Sequence, residues 1–349
     1  MNRTRLSAAV ALAGATALVL TSCSSSSEEG QATPASSSAA PSSSSTAPSS
    51  SASSTSSGAA SNATVYTLPG TGVFPEGITA DDDTFYVSST SDGAIFRGTV
   101  GNTTVEPFLP GGQDGRTGAA GLDVDGDDDD ENTLVVAGGA TGTVWIYDAE
   151  SGALRGKFTN GLGQDATFLN DVVIADNGDA FITDSRNPTL WRIPANATGE
   201  GQLEPFVDFT GSPFAYGEGF NANGIVEADD DNALVIVQSS TGNLYRVARD
   251  SKAVTQVDLG GATLQNGDGM EMEDDTLYVV RNRDSLIATV DLDDDGNRGR
   301  VTGEITDPSF AYPTTVANVD DQLLVVNSQF DKRGGTPVEP FTVVGVPER

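Results

Sequence analysis

Short apolar and β-branched runs recur along most of this chain, and glycine, aspartate and asparagine separate them. Runs of this kind, bounded by turn-forming residues, are typical of β-strands. The stretch from Gly267 to Val280 is an example, with a strand, an acidic turn at Glu273-Asp274-Asp275 and a second strand of β-branched and aromatic residues. No apolar segment after residue 62 keeps a helical period, so the pattern predicts an all-β domain.

The strand pattern repeats six times along the chain. Each copy starts with a head residue, then a small or polar residue and an apolar one, and further strands follow it. The six starts are Glu76-Gly77-Ile78, Ala120-Gly121-Leu122, Asn170-Asp171-Val172, Asn223-Gly224-Ile225, Asp268-Gly269-Met270 and Thr314-Thr315-Val316. Subtraction of the head residue numbers gives spacings of 44, 50, 53, 45 and 46 residues. Periods of this size indicate repeated four-stranded units arranged in a ring.

The last copy lacks a fourth strand, because the chain ends soon after its third strand. The run Thr64-Val65-Tyr66-Thr67-Leu68 precedes the first copy, and we expect it to supply the missing outer strand. Such closure removes open sheet edges, which a ring of blades requires. The sequence therefore predicts an all-β, six-bladed β-propeller whose last blade is closed by the N-terminal strand. A β-sandwich would not require six units of this length.

The N-terminus carries targeting signals. Two arginines precede an apolar segment, Leu6 to Leu20, which is too short to span a membrane comfortably. Leu20-Thr21-Ser22-Cys23 follows and looks like a bacterial lipobox, which implies that residues 1–22 are a lipoprotein signal peptide and that Cys23 is lipidated. We expect a lipid anchor at Cys23 on the extracytoplasmic face of the bacterial cell membrane. An ordinary secretory signal with an incidental cysteine is the alternative.

Residues 23–62 contain Cys23 and then mainly serine, alanine, threonine and proline, a composition that favours a disordered tether. The propeller is predicted over residues 63–349. Because Cys23 is the only cysteine, this domain has no disulfide, thiolate metal site or cysteine nucleophile. The net charge of −32 argues against nucleic-acid binding, and we expect a monomer.

The head residues of the copies are the candidate site. The innermost strand of each propeller blade lines the central channel, so the six heads are expected to converge there. Carboxylate and amide oxygens are hard donors that suit Ca²⁺ or Mg²⁺. A single such residue is more typical of a turn, but four oxygen donors in one register predict a divalent-metal site. The four are Glu76, Asn170, Asn223 and Asp268, whereas the other heads are Ala120 and Thr314.

Four of these motifs resemble the metal-binding motifs of the gluconolactonase/regucalcin (senescence marker protein) family, whose six-bladed calcium propeller is shared by paraoxonases and diisopropyl fluorophosphatase. The motifs are Phe74-Pro75-Glu76-Gly77-Ile78, Leu169-Asn170-Asp171-Val172, Asn223-Gly224-Ile225 and Asp268-Gly269-Met270. The resemblance implies a divalent metal at the channel mouth, Ca²⁺ above all, held by the four head residues. It also implies hydrolysis of lactones or related esters, with Asp268 as general base or nucleophile.

The predicted function is therefore a metal-dependent hydrolase of the lactonase or esterase type, acting on a small molecule. The chain contains no histidine, which excludes a histidine-dyad lactonase mechanism and serine triads in their histidine form. A non-catalytic, surface-exposed propeller that binds an envelope or extracellular partner, with structural calcium, is the alternative. A quinone-linked oxidoreductase is a third class, for which the sequence carries no cofactor signature.

Three further features have two interpretations each. The loop Gly211 to Ala222 either roofs the channel mouth or packs its aromatic residues on a blade. Arg116 is a candidate for holding a substrate carboxylate, although most such arginines are surface charges. Acidic runs such as Asp125 to Glu131 and Asp293 to Asp295 predict solvated turns. The alternative is calcium-binding loops, for which Asp123 to Asp127 and Asp291 to Asn297 are the candidate stretches.

Overall fold

The computed structural model describes residues 63–125, 132–228, 232–319 and 322–348. The predicted signal peptide, Cys23 and the tether lie outside these residues, and so does part of the acidic run after Asp125. The described part of the chain is nearly all-β, as predicted, and none of its helices is long and apolar enough to cross a membrane. Its helices are three single 3-10 turns at Gln113–Gly115, Asn282–Asp284 and Phe330–Lys332.

Within the described ranges, the strands form six antiparallel arrays of four, and each array follows one copy of the repeat. The first strands are β2 (Pro75–Asp81), β6 (Leu122–Asp125), β10 (Leu169–Ile174), β15 (Ala222–Ala228), β19 (Gly267–Glu273) and β23 (Pro313–Val319). The second strands are β3 (Thr84–Ser89), β7 (Thr133–Ala137), β11 (Ala180–Asp184), β16 (Ala233–Gln238), β20 (Thr276–Arg281) and β24 (Gln322–Asn327). We number the arrays 1 to 6 in this order.

The outer half of each array is less regular. The third strands are β4 (Ile95–Thr99), β8 (Thr143–Asp148), β12 (Thr189–Ile193), β17 (Asn243–Ala248), β21 (Leu286–Leu292) and β25 (Thr342–Pro347). The fourth strands are β5 (Asn102–Leu109), β9 (Leu154–Thr159), β14 (Glu204–Asp208), β18 (Val254–Gln256), β22 (Gly299–Ile305) and, in array 6, β1 (Thr64–Thr67). A strand that the sequence did not predict, β13 (Gly199–Gln202), pairs in parallel with β9 at the outer edge of array 2.

The N-terminal strand occupies the position predicted for it. β1 pairs antiparallel with β25, so that Val65 lies opposite Val344. β1 also meets β5 in parallel at Thr67 and Thr104, which joins arrays 6 and 1 into one eight-stranded sheet. The two ends of the folded region are therefore held together by backbone hydrogen bonds, and an edge that would otherwise be open is covered.

The hydrophobic core lies between neighbouring arrays. Alternate residues of one strand face opposite neighbours: Phe85 and Val87 pack with array 6, whereas Tyr86 packs with array 2. Six apolar clusters of this kind follow one another around the described residues, each between two arrays that are adjacent in order. The second strands are apolar at nearly every position because both of their faces are buried in such clusters.

The first strands form the innermost layer, and each contacts the first strands of the arrays before and after it, including β23 with β2. The glycine after the head residue makes this close approach possible. A Cβ atom at Gly224 would lie 2.2 Å from the carbonyl oxygen of Asp268, and one at Gly121 would lie 2.8 Å from that of Asn170. Neither glycine has a positive φ, so the residue type serves packing between arrays and not a turn.

Candidate metal centre

The head residues lie at irregularities in the strand pairing. In five arrays the register between first and second strands shifts across the head residue, for example between Gly267 and Met270. A β-bulge of this kind re-aims a side chain and is common beside active sites. The backbone at the bulge thus changes the direction of the head side chains, which do not follow the regular alternation between the two faces of the strand.

All four predicted ligands line one cavity of about 810 Å³ at the end of the channel. Of the other two heads, Ala120 also lines this cavity. Thr314 instead binds the backbone, donating its hydroxyl to the carbonyl oxygen of Glu76 at 2.7 Å. The repeat therefore brings its oxygen donors together and uses the sixth head to hold the first in place.

Glu76 is buried with an oxygen that has no partner. Among the described residues, nothing donates a hydrogen bond to its buried Oε2 atom. Burial raises the pKa of the Glu76 carboxyl well above its usual range, and the negative charges of Asp268 and Asp171 raise it further. A buried, unpartnered carboxylate oxygen is costly unless a cation or a proton compensates it.

Asp268 is held on both oxygens by amide groups. Its Oδ1 accepts a hydrogen bond from Nδ2 of Asn223 at 2.8 Å, and its Oδ2 accepts one from Nδ2 of Asn282 at 2.6 Å. These bonds favour the ionised form, but burial outweighs them and raises the pKa of Asp268 to about 7. The carboxylate is thus fixed in position and able to exchange a proton near neutral pH.

The two asparagine heads are oriented by serines. Nδ2 of Asn170 donates to Oγ of Ser185 and Nδ2 of Asn223 donates to Oγ of Ser239, both at 2.8 Å. Each serine then donates to the carbonyl oxygen just before the next head residue, Ala222 in one case and Gly267 in the other. Because the amide nitrogen faces the serine, the carbonyl oxygen of each asparagine lies on the opposite side.

Asn282 belongs to this constellation, although the sequence analysis missed it. Its Nδ2 binds Asp268, and its buried Oδ1 has no partner among the described residues. It follows the second strand of array 5, a position held by Thr90, Ser185, Ser239 and Ser328 in four other arrays. The change from a hydroxyl residue to asparagine in one array was a signal available in the sequence.

These residues fit a hard divalent cation. The described residues contain no cluster of three or more His, Cys, Asp or Glu side chains suited to a metal, so a cation here would depend on amide oxygens as well as carboxylates. Two of the three buried acceptor oxygens that have no hydrogen-bond partner among the described residues, Oε2 of Glu76 and Oδ1 of Asn282, lie on side chains that line the same cavity. Carboxylate and amide oxygens are the donors that Ca²⁺ and Mg²⁺ take in proteins.

A second group of carboxylates lies on the same first strands. Asp171 accepts hydrogen bonds from the backbone nitrogens of Val172 and Ile225, at 3.0 and 3.3 Å. Asp123 accepts from the Thr79 hydroxyl at 3.0 Å and from the backbone nitrogens of Val124 and Ile174, at 3.0 and 2.8 Å. Burial raises the pKa of Asp171 to about 8 and that of Asp123 to about 6. Asp123 therefore lies within β6 and accepts hydrogen bonds from the first strands of both neighbouring arrays.

Aromatic and cationic side chains form the cavity walls. Phe168 and Phe220 meet edge to face with ring centroids 5.1 Å apart, and Tyr312 and Phe330 line the cavity from array 6. Four charged residues line it: Glu76, Asp268, Arg283 and Arg333. The walls therefore combine apolar rings with two guanidinium groups.

Two candidates from the sequence have other roles. Arg116 is fully buried, donates to the carbonyl oxygen of Gly93 at 2.5 Å and to the Tyr147 hydroxyl, and does not line the cavity. Its role as a carboxylate ligand was therefore wrong, because the side chain turns inward to hold backbone. In the loop before array 4, Phe214 stacks on Tyr245 in the core, whereas Phe220 reaches the cavity.

No protein-family model and no curated protein matches this chain. Solved structures do match. Gluconolactonase from Xanthomonas campestris has 16% identity over 82% of this chain and 89% of that chain, with a TM-score of 0.55. Regucalcin from Agrobacterium tumefaciens, described as a calcium-binding protein, has 16% identity over 79% and 92%, with a TM-score of 0.54.

A third match differs in activity. A catalytically inactive histidine-to-alanine variant of virginiamycin B lyase from Staphylococcus aureus, with quinupristin, has 15% identity over 76% of this chain and 82% of that chain, with a TM-score of 0.51. One fold thus serves different chemistries, and function depends on the site that it carries. In fold, the chain is a β-propeller similar to gluconolactonase and regucalcin.

Proposed function

We propose that residues 63–349 form a six-bladed β-propeller that hydrolyses a lactone or related ester with the help of a bound divalent cation. The main support is the pair of buried oxygens without partners, on Glu76 and Asn282, beside the carboxyl of Asp268. A carboxylate that titrates near pH 7 next to acceptors suited to a cation is a candidate hydrolytic centre.

Three features of the described residues support the proposal of six blades. The strands group into six arrays, the six apolar clusters each join two neighbouring arrays, and the first strands contact one another in a closed order. β1 completes array 6 by pairing with β25. We take each array as one blade, the last closed by the N-terminal strand.

We propose Glu76, Asn170, Asn223 and Asp268 as the metal ligands, with Asn282 as a fifth oxygen donor. The two carboxylates compensate the charge of a divalent ion, and three amide oxygens provide neutral donors. Ca²⁺ is the expected ion, because it accepts more oxygen ligands than Mg²⁺ and tolerates irregular geometry. When bound, the ion would polarise the ester carbonyl and stabilise the negative charge that develops on its oxygen.

Asp268 is the proposed general base. Its carboxylate would take a proton from the attacking water, whose oxygen bonds to the carbonyl carbon. The bond from that carbon to the ring oxygen then breaks, and the leaving oxygen takes up the proton, which gives a hydroxy acid. Asn223 and Asn282 hold the two carboxylate oxygens in place through their amide groups. Burial raises the pKa of Asp268 to about 7, whereas a bound cation would lower it, so the two effects oppose each other at this carboxyl.

Hydrolysis is favoured over lyase chemistry by the absence of histidine. The lyase with the same fold loses its catalytic activity when one histidine is replaced by alanine. This chain contains no histidine, so a histidine-dependent elimination has no base here. A gluconolactonase has a similar fold, and a cation that polarises a carbonyl, as proposed here, suits hydrolysis of a lactone.

We further propose that the propeller is held at the extracytoplasmic face of the bacterial membrane by a lipid on Cys23. The support is the Leu20-Thr21-Ser22-Cys23 motif with its preceding apolar segment. Replacement of Cys23 by alanine should move the protein from the membrane fraction to the soluble fraction. Retention of the variant in the membrane would contradict the anchor.

The test of function combines metal analysis with turnover. The full chain should retain a divalent metal after dialysis and hydrolyse at least one member of an aliphatic and aromatic lactone panel. Asp268→Asn should lose roughly 100-fold or more of kcat/KM. Glu106→Gln, at an exposed carboxylate in β5, should leave the activity unchanged. Bound metal that raises the melting temperature, without hydrolysis of any ester, would instead support a binding propeller with structural calcium.

A further inference from the structure

The charge of the cavity lining differs from that of the whole protein. The chain carries a net charge of −32, yet the charged residues around the cavity are two carboxylates and two arginines. In the proposed function, a divalent ion compensates the negative charges of Glu76 and Asp268. The cavity lining then has no other carboxylate to balance the positive charges of Arg283 and Arg333. A positive cavity in an acidic protein attracts and retains anions.

Arg333 is the better positioned of the two. The carbon atom at the centre of its guanidinium group lies 4.8 Å from the ring centroid of Phe74 and 4.7 Å from that of Phe330. Its Nη2 donates to Oγ1 of Thr90, whose own hydroxyl donates to the carbonyl oxygen of Phe74 at 2.6 Å. The guanidinium is thus fixed by two rings and one hydroxyl.

The remaining donors of Arg333 are available. Within the described ranges, no carboxylate lies within ion-pair distance of Arg333. Partial burial disfavours its charged form, which lowers the pKa of Arg333 without any carboxylate to oppose the change. A planar guanidinium with several free N–H groups matches the two oxygens of a carboxylate.

The segment that carries Arg333 is tied down by Gln329. The buried Gln329 side chain donates through Nε2 to the carbonyl oxygen of Val338 at 2.8 Å, and its Oε1 accepts from the backbone nitrogen of Val338 at 2.8 Å. Lys332 also donates to the same Oε1 at 3.2 Å. Arg333 is therefore presented by a closed loop, which reduces the entropy lost when a ligand is bound.

Apolar rings flank the space between Arg333 and the carboxylates. Phe168 and Phe220 come from the segments that lead into arrays 3 and 4, and Tyr312 and Phe330 belong to array 6. Arrays 3 and 6 lie three steps apart in the order of first-strand contacts, which places the two aromatic walls across the cavity from each other. Such walls favour a flat, apolar ring.

We propose that the substrate is a carboxylate-bearing cyclic ester with a flat apolar ring, and that Arg333 binds its carboxylate. This rests on the proposed function for the reaction itself, but the recognition of the anion does not require turnover. Arg333 is a specificity-determining residue, because it contacts a part of the substrate that does not react.

The test uses two probes of nearly equal shape, phthalide-5-carboxylate and phthalide-5-carboxamide. Binding to the full, metal-loaded chain is measured by calorimetry, and hydrolysis is followed separately. The carboxylate should bind roughly tenfold more tightly than the carboxamide, since a charge-assisted pair is lost in the latter. Arg333→Gln should remove this preference by raising Kd and KM for the carboxylate alone, with kcat unchanged, whereas Arg333→Lys should restore part of it.

Arg97→Gln is the matched control, because Arg97 also lies over an aromatic ring, that of Phe108, but outside the cavity. It should leave the preference unchanged. Equal binding of the two probes, binding of neither, or an equal loss for both in Arg333→Gln with its melting temperature unchanged would overturn the proposal. Preferential binding without any hydrolysis would support it and count against the hydrolase function. Hydrolysis of both probes without preferential binding of the carboxylate would support the hydrolase function and count against the proposed role of Arg333.

Discussion

Two pairs of carboxylates on the first strands, three of them buried and Asp123 half-buried, differ in the groups that donate hydrogen bonds to them. Asp123 and Asp171 accept hydrogen bonds from backbone nitrogens of their own strand and of the next array. At the cavity, Asp268 accepts hydrogen bonds from two side-chain amides. Oε2 of Glu76 accepts none from the described residues. We call the first pair the staple carboxylates and the second pair the cavity carboxylates.

The comparison separates structure from function. Burial raises the pKa of all four groups, so a raised pKa alone does not identify a functional site. What distinguishes the cavity carboxylates is the kind of donor: among the described residues, Asp268 accepts from side-chain amides and not from backbone nitrogens, and Oε2 of Glu76 has no donor. The staple carboxylates join neighbouring arrays, whereas the cavity carboxylates keep bonding capacity for a ligand.

The largest effect is expected at a cavity carboxylate. Glu76→Gln should weaken divalent-metal binding by roughly 100-fold or more, because a charged ligand is replaced by a neutral one. The free energy of unfolding of the metal-free protein should not fall, since Oε2 of Glu76 has no partner to lose. Calorimetric metal titration and urea denaturation measure the two quantities. A destabilised metal-free variant would place Glu76 with the staple carboxylates.

The next effect concerns the close approach of the arrays on which both pairs depend. Gly224→Ala should lower the free energy of unfolding by about 3 kcal/mol, because the added methyl group would meet the backbone of Asp268. Metal affinity should fall as well, since Asn223 and Asp268 would move apart. Gly163→Ala is the control, as no atom lies within 4 Å of its added methyl group. Equal melting curves for the two variants would contradict the packing role.

A staple carboxylate should show the opposite pattern from Glu76. Asp123→Ala removes the acceptor of three donors, on Thr79, Val124 and Ile174, and should cost about 2 kcal/mol of unfolding free energy. Metal affinity should change little, because these donors do not face the cavity ligands. Asp123→Asn should recover part of the stability. A large loss of metal binding in a stable Asp123→Ala variant would mean that the staple carboxylates, like the cavity carboxylates, contribute to metal binding.

The smallest effect is a pH dependence. In the metal-free protein the pKa of Asp268 is about 7, against an ordinary value of 3.8, so the folded state retains a proton that the unfolded state releases. The stability from Asp268 is therefore full below its unfolded pKa and is lost as pH rises through about 7. Metal affinity should rise over the same window, because the ion competes with this proton.

Thermal melting between pH 4 and pH 9, with and without metal, measures this dependence. The difference in melting temperature with and without metal should depend less on pH in Asp268→Asn. This variant separates the contribution of Asp268 from those of Asp123 and Asp171, whose pKa values are about 6 and about 8. A difference that persists unchanged in the variant would assign the effect to Glu76 or to the staple carboxylates, and not to Asp268.

The sequence located most of the cavity residues but not all of them. Glu76, Asn170, Asn223 and Asp268 share one register of a repeat, so a comparison of copies finds them. Asn282 lies in a second register, where hydroxyl residues recur, and only a search of every register would have found it. Arg333 lies in the connection between β24 and β25, which is longer than the same connection in the other copies, so a comparison of copies does not align it with an equivalent residue.

Arg116 and Asp123 show why the surroundings of a single charged residue could not be predicted from the sequence. Both are charged residues in segments rich in glycine or aspartate, where exposure is the usual outcome. In the folded chain, Arg116 donates to backbone carbonyl groups and Asp123 accepts from backbone nitrogens, and these bonds offset the cost of burial. Gly93 lies 23 residues away from Arg116, and Thr79 and Ile174 lie 44 and 51 residues away from Asp123.

The sequence by itself determined the four main strands of each array, their order, and the pairing of the N-terminal strand with the last array, but not the additional strand β13. These follow from alternation along the pleat and from the repeat period, which are properties of neighbouring residues. Only the tertiary structure decided which oxygens are left without donors, which carboxyls are desolvated enough to titrate near pH 7, and which arginine meets the cavity. Those properties arise where segments far apart in the chain exclude water from one another, and no local pattern encodes them.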